Sequence, residues 1–236
     1  MKKIVLMLSM VLFLSWAGTS HALMFTGSSG SLAASADFEL LGSTLTITLT
    51  NTSLTDVLVP TDVLEGLYFN TTHSLTPVSA SLNGSTVFYG STSNPGDGWG
   101  YASGVSAQGK NSAISAMGAV TGLGHTNFSG TSNNIDGLDY GILSEGDNSA
   151  TGNTGVTGHG PLIKNSVVFT LTAESGFSLA EIGDSVVFQY GTSLTEPSYT
   201  SGPPTGGSPS VPEPTTMLLL GSGLLGLWGF RKKFKK

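Results

Sequence analysis

Two kinds of apolar pattern run along this chain. One is the unbroken run. It covers Ile4 to Leu14, interrupted only by Ser9, and returns from Met217 to Phe230. The other is alternation with a period of two, which marks strands that bury one face. Leu45, Ile47 and Leu49 alternate with Thr44, Thr46, Thr48 and Thr50. Phe38 to Leu41 precedes them across Gly42-Ser43, so the pattern predicts a hairpin. Val167, Phe169 and Leu171 alternate with Val168, Thr170 and Thr172. Val186, Phe188 and Tyr190 alternate with Val187 and Gln189. Val63 to Phe69 is a further apolar run, and Leu54 to Val59 a candidate strand before Pro60. Val78 to Leu82 and Thr86 to Tyr89 flank Asn83-Gly84, a dipeptide suited to the two positive-φ positions of a type I′ turn. A second hairpin is expected there.

From Ser91 to Gly160 the texture changes, with 16 glycines among many Ser and Asn. Tyr101 to Val105, Ala113 to Val120 and Leu138 to Leu143 are candidate strands between loops, and Ala113 to Val120 fits a short helix equally well. Ser178-Leu179-Ala180-Glu181 has capping-box spacing and predicts one helical turn ending at Gly183. There is no long amphipathic helix and no fixed-period repeat. Short strands with frequent turn signals predict a mainly β, sandwich-like ectodomain.

The two unbroken runs belong to the ends. Lys2 and Lys3 precede the first, and Ser20-His21-Ala22 fits the small-x-small rule. Residues 1–22 therefore read as a signal peptide, cut between Ala22 and Leu23. Residues 23–196 form the expected β-rich extracytoplasmic domain. Residues 197–211, rich in Pro, Gly and Ser, read as an extended, mobile linker. Residues 212–236 hold Pro212-Glu213-Pro214, the second apolar run, and a basic end. At about 1.5 Å per residue that run reaches about 21 Å, short of a hydrocarbon core of roughly 30 Å. Counting from Pro214 and letting the basic residues snorkel lengthens it. It is expected to be a single transmembrane helix. Arg231, Lys232 and Lys233 act as its membrane stop and stay in the cytoplasm by the positive-inside rule.

The order Pro212-Glu213-Pro214, apolar segment, basic tail resembles the PEP-CTERM sorting signal of exported proteins from Gram-negative bacteria. The resemblance covers about the last 26 residues. It implies Sec export, signal peptidase, a transient stay in the inner membrane, and recognition by an exosortase. Pro212, Glu213 and Pro214 are then the processing determinant, a substrate site rather than a catalytic one. The resemblance also implies delivery to the cell surface or extracellular space, and an association with exopolysaccharide or biofilm matrix.

Charge narrows the partners. Fourteen of the 15 acidic residues lie between Leu23 and Val211, against only Lys110 and Lys164, a net charge of −12. Nucleic acid, bound mainly through Lys and Arg on phosphate, is excluded as a partner. With no cysteine, disulfides and thiol chemistry are excluded too. The densest acidic stretch holds Asp136 and Asp139, with Glu145 and Asp147 nearby. Asp136, Asp139 and Asp147 are candidate calcium ligands, since calcium takes six to eight hard oxygens. The order is not that of an EF-hand loop, and Asx-type turns between strands are the plainer account of the stretch. Asp136 and Asp139 are also the candidate pair for a glycosidase, which needs carboxyls roughly 5 to 9 Å apart. Trp99 and Tyr101 in a Gly-rich loop either stack on sugars or plug the core. His73, His125 and His159 match no local metal motif. With no G-x-S-x-G elbow and no required cofactor, the expected product is a non-enzymatic surface protein, structural or adhesive. The alternatives are a carbohydrate-active enzyme and a calcium-dependent adhesin.

Overall fold

The structure, a computed structural model, describes residues 20–82, 84–90, 94–117, 126–129, 135, 137–158 and 160–205. They belong to one compact unit, Ser20–Gly206, and the chain is mainly β. Among the described residues two sheets form. The first contains β1 (Ser20–Ser29), β2 (Leu32–Leu41), β3 (Thr44–Asn51), β5 (Leu75–Ser81) and β12 (Ser166–Ala173), in the order β1-β2-β3-β12-β5. All its ladders are antiparallel. The hairpin expected at Gly42-Ser43 is β2–β3, with Leu40 opposite Leu45 and Gly42 at φ +62°.

The second sheet is built around β4 (Leu64–Phe69). Its other members are β6 (Thr86–Phe88), β7 (Gly100–Ala107), β8 (Lys110–Ser115), β9 (Thr126–Asn127), β10 (Ile142–Leu143), β11 (Leu162–Lys164), β13 (Val187–Tyr190) and β14 (Ser198–Thr200). Gly66 pairs with both Gln189 of β13 and Ser115 of β8, while Leu64 pairs with Tyr190 and with Ile142 of β10. So β13 runs along one edge of β4. On the other edge β8 gives way to β10, and Glu65 sits at that fork.

The inward side chains of both sheets make one core. Phe38, Leu45, Ile47, Leu49, Phe169 and Leu171 come from the first sheet, and Leu64, Leu67, Phe69, Ile114, Ile142 and Phe188 from the second. Phe25, Phe38 and Phe69 meet edge to face, with centroids 5.7 and 5.6 Å apart. Trp99 is fully buried, lies 5.1 Å from the Phe169 ring and donates from Nε1 to the Tyr140 carbonyl at 2.8 Å. It is a core plug, and Tyr101 is buried with it.

Several expectations change. The second hairpin does not form. The turn at Gly84 does: its φ is +92°, and the Ser85 amide donates to the Leu82 carbonyl at 2.9 Å. It carries the chain from one sheet to the other, because β5 finds a long partner in β12 and β6 pairs with β11. Leu54 to Val59 is a loop, its backbone held by side chains: Asp147 Oδ1 accepts from the Val57 amide at 3.1 Å, and Ser144 Oγ donates to the Thr55 carbonyl. Of Leu138 to Leu143 only the last two residues form a strand, since Leu138 and Tyr140 have φ of +68° and +65°. The expected capping box is present, with Ser178 capping a 3-10 turn, Leu179–Ile182. The first part of the stretch expected as linker from residue 197 is folded. Ser198–Thr200 pairs with β13, and Tyr199 stacks on Tyr190 at 5.8 Å. The amides of Gly202 and Thr205 then donate to Thr26 and Met24 carbonyls along the edge of β1. Among the described residues no helix is long and apolar enough to cross a membrane. The apolar runs at 4–14 and 217–230 lie outside those residues.

Candidate functional site

Of the acidic residues singled out from sequence, Asp139 and Asp147 stand apart. Asp136 lies outside the described residues. Asp147 is buried, and it meets Asp56 rather than Asp139. Asp56 Oδ1 accepts from the Asn148 amide at 2.9 Å, and Oδ2 from the Thr151 hydroxyl at 2.6 Å. Thr151 and Asn148 hold Asp56 below the usual carboxylate range. Burial, then the neighbouring Asp56, pushes Asp147 up. The two carboxyls lie within hydrogen-bonding reach of each other. Every oxygen with a defined partner serves to tie the 54–58 loop to the 144–151 loop. The cavity beside Asp56, about 10 Å³, has room for about one water. Such a pair is a clamp.

Asp139 stands elsewhere, beside Glu65. Glu65 was not marked as a site from sequence, although it is a lone charge in the run Val63 to Phe69. It is fully buried at the fork of the second sheet, and neither carboxylate oxygen has a hydrogen-bond partner. Burial pushes its carboxyl well above the ordinary value, helped by the charges of Asp139 and Glu196. Gly141 is required at its side, because a Cβ there would overlap Glu65 Oε1. Among the described residues no three His, Asp or Glu side chains already converge as metal ligands.

His73 is held by Glu181, with Nδ1 2.7 Å from Oε1. Burial raises the Glu181 carboxyl, but the Thr72 hydroxyl and the amides of Thr72 and Ser178 outweigh it and, with His73, hold it at about 2. His125 and His159 lie outside the described residues.

The outer face of the first sheet is a different kind of surface. In register across β2, β3 and β12 stand Ser35, Thr50 and Ser166; Asp37, Thr48 and Val168; Glu39, Thr46 and Thr170; and Leu41, Thr44 and Thr172. Thr76, Ser79 and Ser81 of β5 extend the rows. All are half-buried or exposed. Columns lie about 4.8 Å apart, and successive rows about 7 Å. The result is a grid of hydroxyls and methyls with two acids at one side. Burial, then Glu39, raises the Asp37 carboxyl.

The domain's two ends meet on β1. Ala22 lies opposite Glu39 and Leu23 opposite Phe38, so the expected cleavage site is inside the β1–β2 ladder. Met24 is bridged to Thr205. A cavity of about 570 Å³ opens there, lined by His21, Ala22, Leu23, Phe177, Leu179 and Pro204 among others. Two of those residues would leave with the signal peptide, so the cavity belongs to the uncut chain. Immediately beyond Thr205 comes the C-terminal stretch that a family model recognises. Residues 210–233 match the PEP-CTERM protein-sorting motif. The sorting motif includes Pro212, Glu213 and Pro214, and extends through Arg231, Lys232 and Lys233, all outside the described residues. It marks the chain as an exported exosortase target, membrane-anchored by its C-terminus before processing. No curated protein and no solved structure matches the chain. The sorting motif therefore fixes the route, and the ectodomain must be read from its own surface.

Proposed function

We propose that the ectodomain is a non-enzymatic structural or adhesive component of the cell surface or extracellular matrix, whose partner is exopolysaccharide. The observation that carries this reading is the hydroxyl grid on the first sheet. Hydroxyls donate and accept, so a regular array of them suits a polymer that presents repeating hydroxyls and C–H faces. The grid carries little charge for a domain of net −12, so a neutral glycan meets little repulsion there. The route is signal-peptide removal after Ala22, transient anchoring, and exosortase processing at Pro212 to Pro214.

The test uses the exported protein and the matrix polysaccharide of its own cells. The double variant Thr46→Lys, Thr170→Lys changes two outward positions of adjacent strands and leaves the core untouched. Wild type should co-sediment with the polysaccharide, and the variant should stay in solution with an unchanged circular dichroism spectrum. Equal co-sedimentation of both proteins discards the face. The enzyme alternative gains no support from the Asp56–Asp147 pair, whose carboxyls touch rather than stand roughly 5 to 9 Å apart.

A further inference from the structure

Among the described residues two acids are buried, Asp147 and Glu65. Asp147 accepts from the Val57 amide, whereas Glu65 has no exposed surface and no hydrogen-bond partner on either oxygen. A carboxylate there is neither hydrated nor paired, so the group takes up a proton and stays neutral. Ionisation of Glu65 and its burial therefore exclude each other.

The wall over Glu65 is the 137–141 loop. Gly141 lies against Oε1, so close that a Cβ there would overlap it. Leu138 and Tyr140 bend the loop with φ of +68° and +65°, in the left-handed region that bulky residues avoid. Such strain persists only where the surroundings impose it, and it gathers at switch regions. A few bonds impose it here. The Gly137 amide donates to the Ala116 carbonyl at 3.0 Å and the Gly141 amide to the Leu138 carbonyl at 2.8 Å, while Trp99 Nε1 holds the Tyr140 carbonyl. Next in the chain, β10 meets β4 through one register pair, Ile142 with Leu64. β8 and β13 each meet β4 through four. The thinnest seam of β4 thus runs beside Glu65.

The charged groups acting on Glu65 are Asp139 in the covering loop and Glu196 in the 191–196 loop. Both are acids, so neither offsets an ionised Glu65. Burial outweighs the pull of the Leu138 amide, and with the two charges it holds the carboxyl well above its ordinary value. β10 brings only Ile142 and Leu143. Tyr190 of β13 is bonded through its hydroxyl to Tyr199, and Lys110 of β8 is spent on Ser185.

We propose that Glu65 and the 137–141 loop form a proton-operated latch. With Glu65 protonated, the loop is shut on the second sheet. Loss of the proton to solvent drives the carboxylate toward water, and the loop and β10 lift from β4 to admit it. Regaining the proton shuts the latch. The direction follows from where Glu65 titrates. Its folded value lies above the ordinary 4.5, so the cost of keeping it buried is absent below about pH 4.5. That cost grows as pH rises and levels off once the folded group ionises. The domain is tightest in acidic surroundings and loosens in alkaline ones. The latch belongs to the second sheet and does not rest on the hydroxyl grid of the first.

Infrared spectroscopy and hydrogen exchange of the purified full chain in detergent test the latch. At about pH 6 wild type should show a protonated-carboxyl band that Glu65→Gln lacks. Protection of residues 137–143, corrected for the intrinsic pH dependence of exchange, should fall in wild type by up to about tenfold per pH unit above pH 4.5 while that band persists. In Glu65→Gln, neutral at every pH, protection should stay level. Asp139→Asn removes a like charge, so its band should vanish at a lower pH than in wild type. This variant serves if Glu65→Gln does not fold. Matching spectra of wild type and Glu65→Gln at that pH overturn the latch. So does wild-type protection that stays level, protection that falls equally in Glu65→Gln, or a band that vanishes at the same pH in Asp139→Asn.

Discussion

A single carboxylate can organise more backbone than a salt bridge does, and Glu181 is such a residue. Its Oε2 accepts from the Thr72 amide at 2.8 Å, the Thr72 hydroxyl at 2.7 Å and the His73 amide at 3.1 Å. Its Oε1 accepts from the Ser178 amide at 3.2 Å, closing the capping box. One side chain thus joins the β4–β5 turn of the first part of the fold to the 3-10 turn before β13. Because the folded carboxyl titrates at about 2, below its ordinary value of 4.5, it contributes stability that is complete above about pH 4.5. That stability is lost as pH falls toward 2. Glu181→Gln should flatten this acid limb and lower stability at pH 7 by roughly 1–2 kcal/mol, since a neutral amide accepts these bonds less strongly. Chemical denaturation of both proteins from pH 7 to pH 3 reads the effect, and parallel stability curves would remove Glu181 from the role.

At the scale of elements, the C-terminal segment Ser198–Thr205 carries more of the fold than its composition suggests. β14 covers the edge of β13, Ser201 Oγ accepts from the Val186 amide at 3.0 Å, and the Thr205 amide reaches Met24 on β1. It laces one sheet to the other and blunts the β1 edge, which would otherwise offer unpaired backbone groups. A domain ending at residue 196 should therefore unfold at a lower temperature than one ending at residue 205. Loss of the Tyr199 ring from Tyr190 and Phe188 alone is worth roughly 3 kcal/mol. Differential scanning calorimetry of the two lengths decides, with equal midpoints counting against the lacing role. The same segment shows where sequence reading stops. Period-two alternation located β3 and β12 because each buries every second side chain in a shared core, whereas β13, also legible by its alternation, is buried on both faces. Ser198-Tyr199-Thr200 is too short to show a period, and its Pro and Gly neighbours resemble a linker. The Asn83-Gly84 turn was legible as a turn, but the choice of partner strands depends on edges supplied by residues about 80 positions away. Glu65 was visible as a lone charge, yet its burial follows from loops 137–141 and 191–196, whose courses are set by left-handed residues that carry no periodic signal.

At the scale of the whole molecule, the order of events on export is constrained by where the cut must fall. On the proposed route signal peptidase acts between Ala22 and Leu23, and in the folded domain that bond lies within a ten-pair antiparallel ladder between β1 and β2. β1 is further held by the Gly202 and Thr205 amides on its outer side. A protease needs the chain free of such bonds, so cleavage of the folded form proceeds only from a population in which β1 has opened. Each 1.4 kcal/mol of opening cost slows it by about tenfold in that regime. That route then predicts that cleavage precedes docking of β1, before the C-terminal segment that locks it has joined the fold. Full-length chain refolded before addition of signal peptidase should be cut after Ala22 more than about tenfold more slowly than chain diluted from denaturant directly into the peptidase. Mass spectrometry of the time course gives the fraction beginning at Leu23. Comparable rates for the two preparations would mean that residues 20–22 leave β1 without cost, and that the ladder begins in earnest only at Leu23.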